Sequence, residues 1–162
     1  MGTRRRAREF ALQILYQLDV LGPSGAAGGA ERSETVDQLS DEQALGLFWR
    51  NFAAEAEGAL PADLGEIQPF AERLVRGVRE HLAELDAQIQ GASKNWRLER
   101  MARVDRNLLR LALYELKHVD DVPAKVAINE AIEIAKRYGT SESPAFVNGI
   151  LDRCLGELGT RA

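Results

Sequence analysis

Cysteine and histidine are scarce in this sequence. Its 162 residues include one cysteine, Cys154, and two histidines, His81 and His118. A single cysteine cannot form a disulfide within the chain, which favours the reducing environment of the cytoplasm. Because the histidines and the cysteine lie far apart in the sequence, they do not predict a zinc site, and we expect no metal or other cofactor.

Long hydrophobic runs are absent as well. No apolar stretch approaches the ~18 residues that a membrane-spanning helix requires, so no membrane partner is expected. The start of the chain is basic, but no uncharged hydrophobic region follows it, which argues against a secretory signal.

Catalytic motifs are also missing. The sequence has no Gly-rich loop with the spacing of a nucleotide-phosphate or dinucleotide site. Asp120 and Asp121 are adjacent in a helix-breaking turn, and no candidate nucleophile pairs with His118. Cys154 falls on an apolar helical stripe, which is typical of an inert packed thiol. We therefore predict that the chain is not an enzyme.

Helical periodicity dominates what is present. Apolar residues recur with a period of 3.6 throughout, and no stretch alternates in the manner of a strand. The fold class is therefore predicted to be all-α. The first helix carries a continuous core stripe: Ala7, Phe10, Ala11, Ile14, Leu15 and Leu18.

Helix boundaries can be predicted from local signals. Ser40 and Gln43 have the spacing of a capping box at the start of the second helix. A third, long helix is predicted over about residues 63–91, followed by a short turn or helix over 97–102. The second helix is expected to direct three side chains inward: Leu47, Phe48 and Phe52.

The C-terminal third is predicted to hold three further helices. The first begins at residue 104 or 105 and has a wide apolar face, which predicts the most buried position. Pro123 ends it. The next helix, about 124–138, is expected to end at Gly139 in the left-handed conformation. Ser143 is expected to cap the last helix, with Pro144 at its first position.

One segment interrupts this helical pattern. Residues 22–35, GPSGAAGGAERSET, consist mainly of Gly, Ala and Ser, which predicts a flexible insertion. A single N-terminal helix could not bury its apolar stripe alone. Residues 1–162 are therefore expected to form one domain with this insertion inside it.

Charge is segregated along the chain. The formal net charge is −4, yet residues 1–16 hold four arginines and one glutamate, and residues 93–110 hold six basic and two acidic residues. Residues 31–92 hold thirteen acidic and five basic residues. Two basic segments in an acidic chain indicate a local anion site and not indiscriminate binding of nucleic acid.

Tyr16 departs from the pattern of a simple helical bundle. On a helical wheel it points away from the apolar stripe, on the side that also holds Arg5, Arg8 and Leu12. Arginine beside an outward aromatic ring is typical of single-stranded nucleic-acid binding, since guanidinium binds phosphate and the ring stacks on a base. The alternative is an exposed tyrosine covered by the neighbouring loop, with solvated arginines.

Phe146 is a second such residue. It lies at the edge of the core stripe of the last helix, on its first turn, where unpaired backbone N–H groups favour an anion. Glu142 opposes a phosphate there unless it accepts a base amino group. The alternative is a hydrophobic staple that closes the start of the helix.

The second basic segment has two interpretations. Its members fall largely on one helical side and either contact an anion or form a solvated face paired with the acidic third helix. They are Lys94, Arg97, Arg100, Arg103, Arg106 and Arg110.

Three stretches together resemble one family. RRRAREFALQILYQLD, VDRNLLRLALYEL and VPAKVAINEAIEIAKRYGTSESPAFVNGILD are similar to NusB, the bacterial transcription antitermination factor family. The resemblance covers residues 4–19 and 96–158. It implies an all-α fold of about seven helices in two packed subdomains. The same fold occurs as the N-terminal domain of a ribosomal RNA cytosine-5 methyltransferase.

The resemblance also implies a function. Family members bind the single-stranded boxA element of ribosomal RNA leader transcripts together with NusE, a protein of the small ribosomal subunit. With other Nus factors they join the RNA polymerase elongation complex and suppress premature termination during rRNA synthesis. They occur as monomers and dimers, so a homodimer is a further expectation.

Site residues carry over by position. The resemblance implies NusE contacts at Asp105 and Arg106. It implies RNA contacts at eight positions: Arg4, Arg5, Arg6, Arg8, Tyr16, Glu142, Ser143 and Phe146.

Two departures from the family pattern bear on RNA binding. The 22–35 insertion is longer than the usual connection. The loop has Glu142 with Pro144 and Ala145 where other members often place an aspartate and a basic residue. Two other functions stay open: a helical protein-interaction scaffold without RNA binding, and a detached RNA-binding module of a modification enzyme.

Overall fold

A computed structural model describes residues 2–21 and 40–158 of the chain. Its regular elements there are helices: α1 (Thr3–Leu21), α2 (Asp41–Ala56), α3 (Leu64–Glu80), α4 (Leu82–Ala92), α5 (Arg103–His118), α6 (Ala124–Tyr138) and α7 (Ser143–Glu157), with a 3₁₀ turn at Leu98–Arg100. The predicted all-α class is confirmed. The predicted Gly-rich insertion lies outside the described residues.

The chain divides into two compact units, an N-terminal unit, Met1–Arg76, and a C-terminal unit, Gly77–Ala162. The expectation of one domain over residues 1–162 stays a prediction. In the described residues, no helix combines the length and apolar character needed to cross a membrane.

The N-terminal unit has a small core formed by α1 and α3. Ala7, Ile67 and Ala71 are fully buried, and three larger side chains pack against them: Phe10, Trp49 and Phe70. The rings of Phe10, Phe48, Trp49 and Phe52 meet edge-on, with centroids 5.0–6.2 Å apart. Edge-on pairs of this kind add to the stabilisation by apolar burial.

The start of α2 follows its sequence signal. The Gln43 N–H donates to Ser40 Oγ at 3.2 Å, and the Ser40 N–H donates to Gln43 Oε1 at 2.9 Å, so the capping box is confirmed. The inward prediction for Leu47 is wrong, since its side chain is 42% exposed. The buried residue of α2 is instead Leu45, and three aromatic side chains of this helix contact Phe10 of α1: Phe48, Trp49 and Phe52.

In the C-terminal unit α5 is the central helix. It contacts α4, α6 and α7, and every residue from 105 to 116 is buried. The predicted position of this helix is therefore confirmed. Cys154 on α7 is fully buried, and burial raises the pKa of its thiol to about 11. The predicted packed position of this cysteine is therefore confirmed.

The predicted long third helix is wrong, because it divides into α3 and α4 at His81. The backbone of His81 has φ −104° and ψ 18°, which departs from helical values. Its ring stacks against His118 and Tyr114 of α5. The interruption thus coincides with a tertiary contact that the local pattern does not contain.

The loop before α7 differs from the prediction in two ways. Gly139 has φ −94° and ψ −165°, so it is extended and not left-handed. Glycine is required there because a Cβ would lie 2.4 Å from Ser143 Oγ. Ser143 is buried and does not cap α7 with its side chain; Glu142 occupies the cap position.

Candidate functional site

The arginines of α1 surround an aromatic ring in the N-terminal unit. The Arg4 guanidinium lies 4.7 Å from the centroid of Phe70, and that of Arg8 lies 5.6 Å from it. Arg4 is exposed, whereas Arg8 is only 4% exposed. A guanidinium over a ring face is held by cation–π attraction. The ring therefore fixes two positive charges at the first turns of α1.

Arg6 is held by a carboxylate that precedes α3. Its Nη1 donates to Asp63 Oδ1 at 3.3 Å, and the Thr3 hydroxyl donates to Asp63 Oδ2 at 3.1 Å. Arg5 is half-buried. Each arginine of the segment thus has its own environment, and the four do not form one uniformly exposed cluster.

Two positions predicted to face outward on α1 are buried. Arg8 and Leu12 are 4% and 3% exposed, so their outward placement is wrong. The arc of α1 that is removed from solvent is wider than its apolar stripe. Arginine can occupy such a position because its long aliphatic stem tolerates burial while the guanidinium finds a ring or acceptor.

Tyr16 is exposed as predicted. Its side chain is 39% exposed, and Gln13, Gln17 and Val20 beside it are exposed too. These positions have the i, i+3, i+4, i+7 spacing of one helical face. Tyr16 and Arg5 lie on nearly the same side of α1, about 16 Å apart along its axis. The face offers a ring and an arginine with polar residues between.

In the C-terminal unit, the start of α7 holds the other predicted RNA contacts. Ser143 is buried, and its Oγ accepts from the Thr140 N–H at 2.9 Å. Glu142 is exposed. Phe146 is half-buried and meets Trp96 edge-on, with centroids 6.1 Å apart at 86°. The Ser143 hydroxyl thus shapes the loop, while Glu142 and Phe146 contribute surface.

Sequence reasoning missed Trp96, which is 58% exposed. Its turn is fixed by side chains: the Gln90 amide donates to the Trp96 carbonyl at 2.9 Å and accepts from the Leu98 N–H at 2.9 Å. The Ser93 hydroxyl donates to the same Trp96 carbonyl. The signal in the sequence was an aromatic residue between Lys94 and Arg97, both exposed.

The predicted NusE contacts lie in the first turn of α5 and are buried. Asp105 is 9% exposed and Arg106 is 5% exposed. Arg106 Nη1 donates to the carbonyls of Leu98 and Glu99, at 3.1 and 3.3 Å. Arg106 thus holds the 3₁₀ turn against α5. Their proposed role in NusE binding stays a prediction.

The second basic segment divides between interior and surface. Arg110 is buried, and its Nε and Nη2 donate to the two oxygens of Asp86 at 2.7 and 2.9 Å. Pairing with the acidic third helix is therefore right for Arg110, since Asp86 lies in the predicted span. Four members of the segment are exposed: Lys94, Arg97, Arg100 and Arg103.

The two histidines, which are far apart in the sequence, meet in the C-terminal unit, and the expectation of no metal site stays a prediction. The rings of His81 and His118 stack with centroids 4.1 Å apart. Glu84 Oε2 lies 3.2 Å from His81 Nδ1, and Glu84 Oε1 lies 3.8 Å from His118 Nε2. These three side chains form the one group in the described residues whose donor atoms converge as metal ligands would.

Comparison with known protein sequences identifies the family of this chain. Residues 5–155 match the model of the NusB family. A curated relative from Geobacter sulfurreducens (strain ATCC 51573 / DSM 12127 / PCA), a transcription antitermination protein NusB, is 47% identical over 98% of this chain and 97% of its own length.

Solved structures agree. NusB of T. maritima superposes with a TM-score of 0.71 at 37% identity, over 95% of this chain and 91% of that chain. A chain in the structure of antitermination factors NusB and NusE in complex with dsRNA gives a TM-score of 0.71 at 21% identity, over 97% of this chain and 98% of that chain. The second likeness shows the fold.

These proteins form one class, the helical transcription antitermination factors. The chain matches the family model over nearly its whole length and its curated relative at 47% identity. It belongs to the NusB family.

Proposed function

We propose that this chain binds boxA-type single-stranded RNA of rRNA leader transcripts together with NusE. In that complex it joins the RNA polymerase elongation complex with other Nus factors and supports read-through of terminators. It acts in the cytoplasm, by binding and not by catalysis. Family membership supports the class of function. The observation that carries RNA binding by this chain is the exposed Tyr16 on the same side of α1 as Arg5.

The N-terminal unit supplies the means to bind a flexible strand. Single-stranded RNA is bound by stacking of unpaired bases and by cationic contacts to phosphate. Tyr16 offers the ring, and Arg4, which is exposed, offers a guanidinium held over Phe70 by cation–π attraction. A fixed guanidinium loses less conformational entropy on binding than a mobile one. Arg5 and Arg6 extend the same basic start of the helix.

The C-terminal unit offers a second candidate surface. Phe146 and the exposed Trp96 lie edge-on. In the sequence of its turn, Trp96 lies between Lys94 and Arg97. Glu142 at the start of α7 is exposed and can accept from a base amino group. We propose Trp96 as a contact beyond those implied by the family motif.

NusE is proposed to dock at the start of α5. Because Asp105 and Arg106 are buried there, direct contacts fall more readily on Arg100 and Arg103, which are exposed on either side of residues 101 and 102. Arg106 then acts through the turn that it holds. The alternative role of the surface at the start of α5 is contact between two copies of the chain. Sedimentation over a concentration series distinguishes a homodimer from a monomer that binds NusE.

Fluorescence anisotropy tests the proposed function. The probe is a short boxA-type RNA, compared with a scrambled RNA of equal length, with and without NusE. We expect a preference for boxA that NusE strengthens, because few arginines contact the strand and a partner extends the surface. Equal affinity for both RNAs in every condition would contradict RNA recognition and would favour the protein-interaction scaffold. Restoration of methyltransferase activity by mixing with a separate catalytic chain would favour the modification-enzyme module.

Replacing Tyr16 with alanine should weaken boxA binding by roughly 1–3 kcal/mol, the usual scale for one stacked base. Thermal stability should change little, because Tyr16 is an exposed residue and not part of the core. The matched control is Val20→Ala, an exposed residue of the same helical face that offers no ring. A large fall in melting temperature with Tyr16→Ala, or equal RNA affinity for both variants, would remove Tyr16 from the RNA surface.

Trp96 allows a direct optical test, because the chain has only one other tryptophan, Trp49. In a Trp49→Phe background, stacking of a base on Trp96 should quench its emission as boxA RNA is added. Trp96→Ala should weaken binding by roughly 1–3 kcal/mol. Emission that is unchanged at saturating RNA, with affinity equal to the parent, would place Trp96 outside the interface.

A further inference from the structure

The only two histidines of the chain stack on each other. His81 joins α3 to α4 and His118 ends α5, and their ring planes are within 19° of parallel. Tyr114, one turn before His118 on α5, continues the stack at 6.1 Å from the His81 ring centroid. Two imidazoles in contact beside a carboxylate form the same donor set that many zinc sites use.

Glu84 lies at the centre of this cluster. Its two oxygens face different rings, Oε2 toward His81 Nδ1 and Oε1 toward His118 Nε2. The donor atoms of the three side chains all lie within 4.8 Å of one another. Imidazole nitrogens about 2.0–2.1 Å from a zinc ion are about 3.3 Å apart in tetrahedral geometry. The donor atoms are therefore near the spacing that one ion requires, but they do not yet point at a common centre.

The three side chains of the cluster are partly exposed, although the His118 Nε2 atom itself is buried. The side chains of His81 and His118 are 32% and 30% exposed, and that of Glu84 is 45% exposed.

Two features oppose an ion. The Lys117 ammonium contacts Glu84 Oε1 and would repel a cation. Lys117 also donates to Gln88 Oε1 at 2.8 Å, so it has a second acceptor when Glu84 turns to a metal. Coordination places the ion in the plane of each ring, so one of the two stacked rings must rotate. Both adjustments involve side chains that are not fully buried.

We propose that His81, Glu84 and His118 form a binding site for one divalent transition-metal ion of the Zn²⁺ type, with water as the remaining ligand. Imidazole and carboxylate together suit Zn²⁺ better than Mg²⁺ or Ca²⁺, which prefer oxygen donors alone. The site lies within the C-terminal unit and shares no residue with the RNA surfaces proposed above.

Zinc titration against a chromophoric chelator tests the site, with the full chain free of any histidine tag. We expect one Zn²⁺ per chain. His118→Ala and Glu84→Gln should each weaken binding by more than the roughly tenfold cost of losing an outer-shell partner. Lys117→Met should strengthen binding, because it removes the competing cation. In proton NMR, the ring signals of both histidines should shift or broaden on addition of zinc.

The matched control is Glu133→Gln, which neutralises an exposed glutamate that is also paired with a lysine. It should leave zinc binding unchanged. Melting curves recorded without metal establish that each variant is folded. Absence of binding, binding that survives His118→Ala in a folded chain, or one ion shared by two chains would overturn the proposal.

Discussion

Arg110→Met should lower the free energy of unfolding by about 3 kcal/mol, the lower end of the range for breaking a buried ion pair. Arg110 forms two hydrogen bonds with Asp86, and its Nη1 donates to Asn107 Oδ1 at 3.1 Å. Its side chain is 5% exposed and that of Asp86 is 24% exposed. Methionine fills most of the volume of the arginine side chain but leaves the partly desolvated carboxylate of Asp86 without its cation. We expect the lower end of the range for a buried ion pair because Asp86 retains contact with water.

Chemical denaturation of the parent and variant chains measures this loss. The control is Lys136→Met, which breaks an exposed pair with Glu133 at 3.0 Å on one turn of α6. Exposed pairs of this type contribute less than about 0.5 kcal/mol. Arg110→Lys should recover only part of the stability, because an ammonium cannot reproduce the paired hydrogen bonds. Similar losses for Arg110→Met and Lys136→Met would show that the buried pair with Asp86 stabilises the fold no more than an exposed pair does.

Gly77→Ala should cost about 1–3 kcal/mol, the usual penalty for inserting a methyl group into a packed interior. A Cβ at Gly77 would lie 2.0 Å from Tyr114 Cζ and 2.3 Å from its hydroxyl oxygen. Tyr114 is 9% exposed and stacks against His81, so its ring has little room to move aside. The measurement is again the free energy of unfolding, together with the NMR signals of the histidine rings, which should shift as Tyr114 is displaced.

Gly91→Ala provides the opposite expectation for the same chemical change. Gly91 lies in α4, is exposed, and a Cβ there meets nothing within 4 Å. Alanine in a helix interior is favoured over glycine by about 0.5–1 kcal/mol. Because Gly91 is the next-to-last residue of α4, the gain is expected at the lower end of this range. The variant should therefore be more stable than the parent. If both glycine variants are stabilised, the contact between residue 77 and Tyr114 does not constrain the fold.

The candidate RNA surface shows which exposures a helical wheel predicts correctly and which it does not. The wheel placed Tyr16 outward, and it is exposed. The same wheel placed Arg8 and Leu12 outward, and both are buried. A wheel gives the direction of a side chain from its own helix, but burial depends on every neighbour. For α1, those neighbours include Phe70 of α3, whose ring lies beneath the Arg8 guanidinium.

The basic segment of residues 93–110 illustrates the same limit. Helical spacing grouped six cations on one side, yet Arg106 and Arg110 have interior partners and four others are exposed. Arg106 binds carbonyls of the 3₁₀ turn, and Arg110 binds a carboxylate of α4. Net charge in a window cannot separate these cases, because partners distant in sequence decide them.

Three features of the molecule were predictable from local sequence: the helical class, the capping box that begins α2 and the central position of α5. They depend on the 3.6-residue period and on hydrogen bonds between residues three apart, which are local interactions. Helix packing sets the end of α3, the burial of particular arginines, and the contacts of Trp96 with Phe146 and of His81 with His118. Those features join residues far apart in the chain, and their geometry is set by how helices pack and not by any local preference.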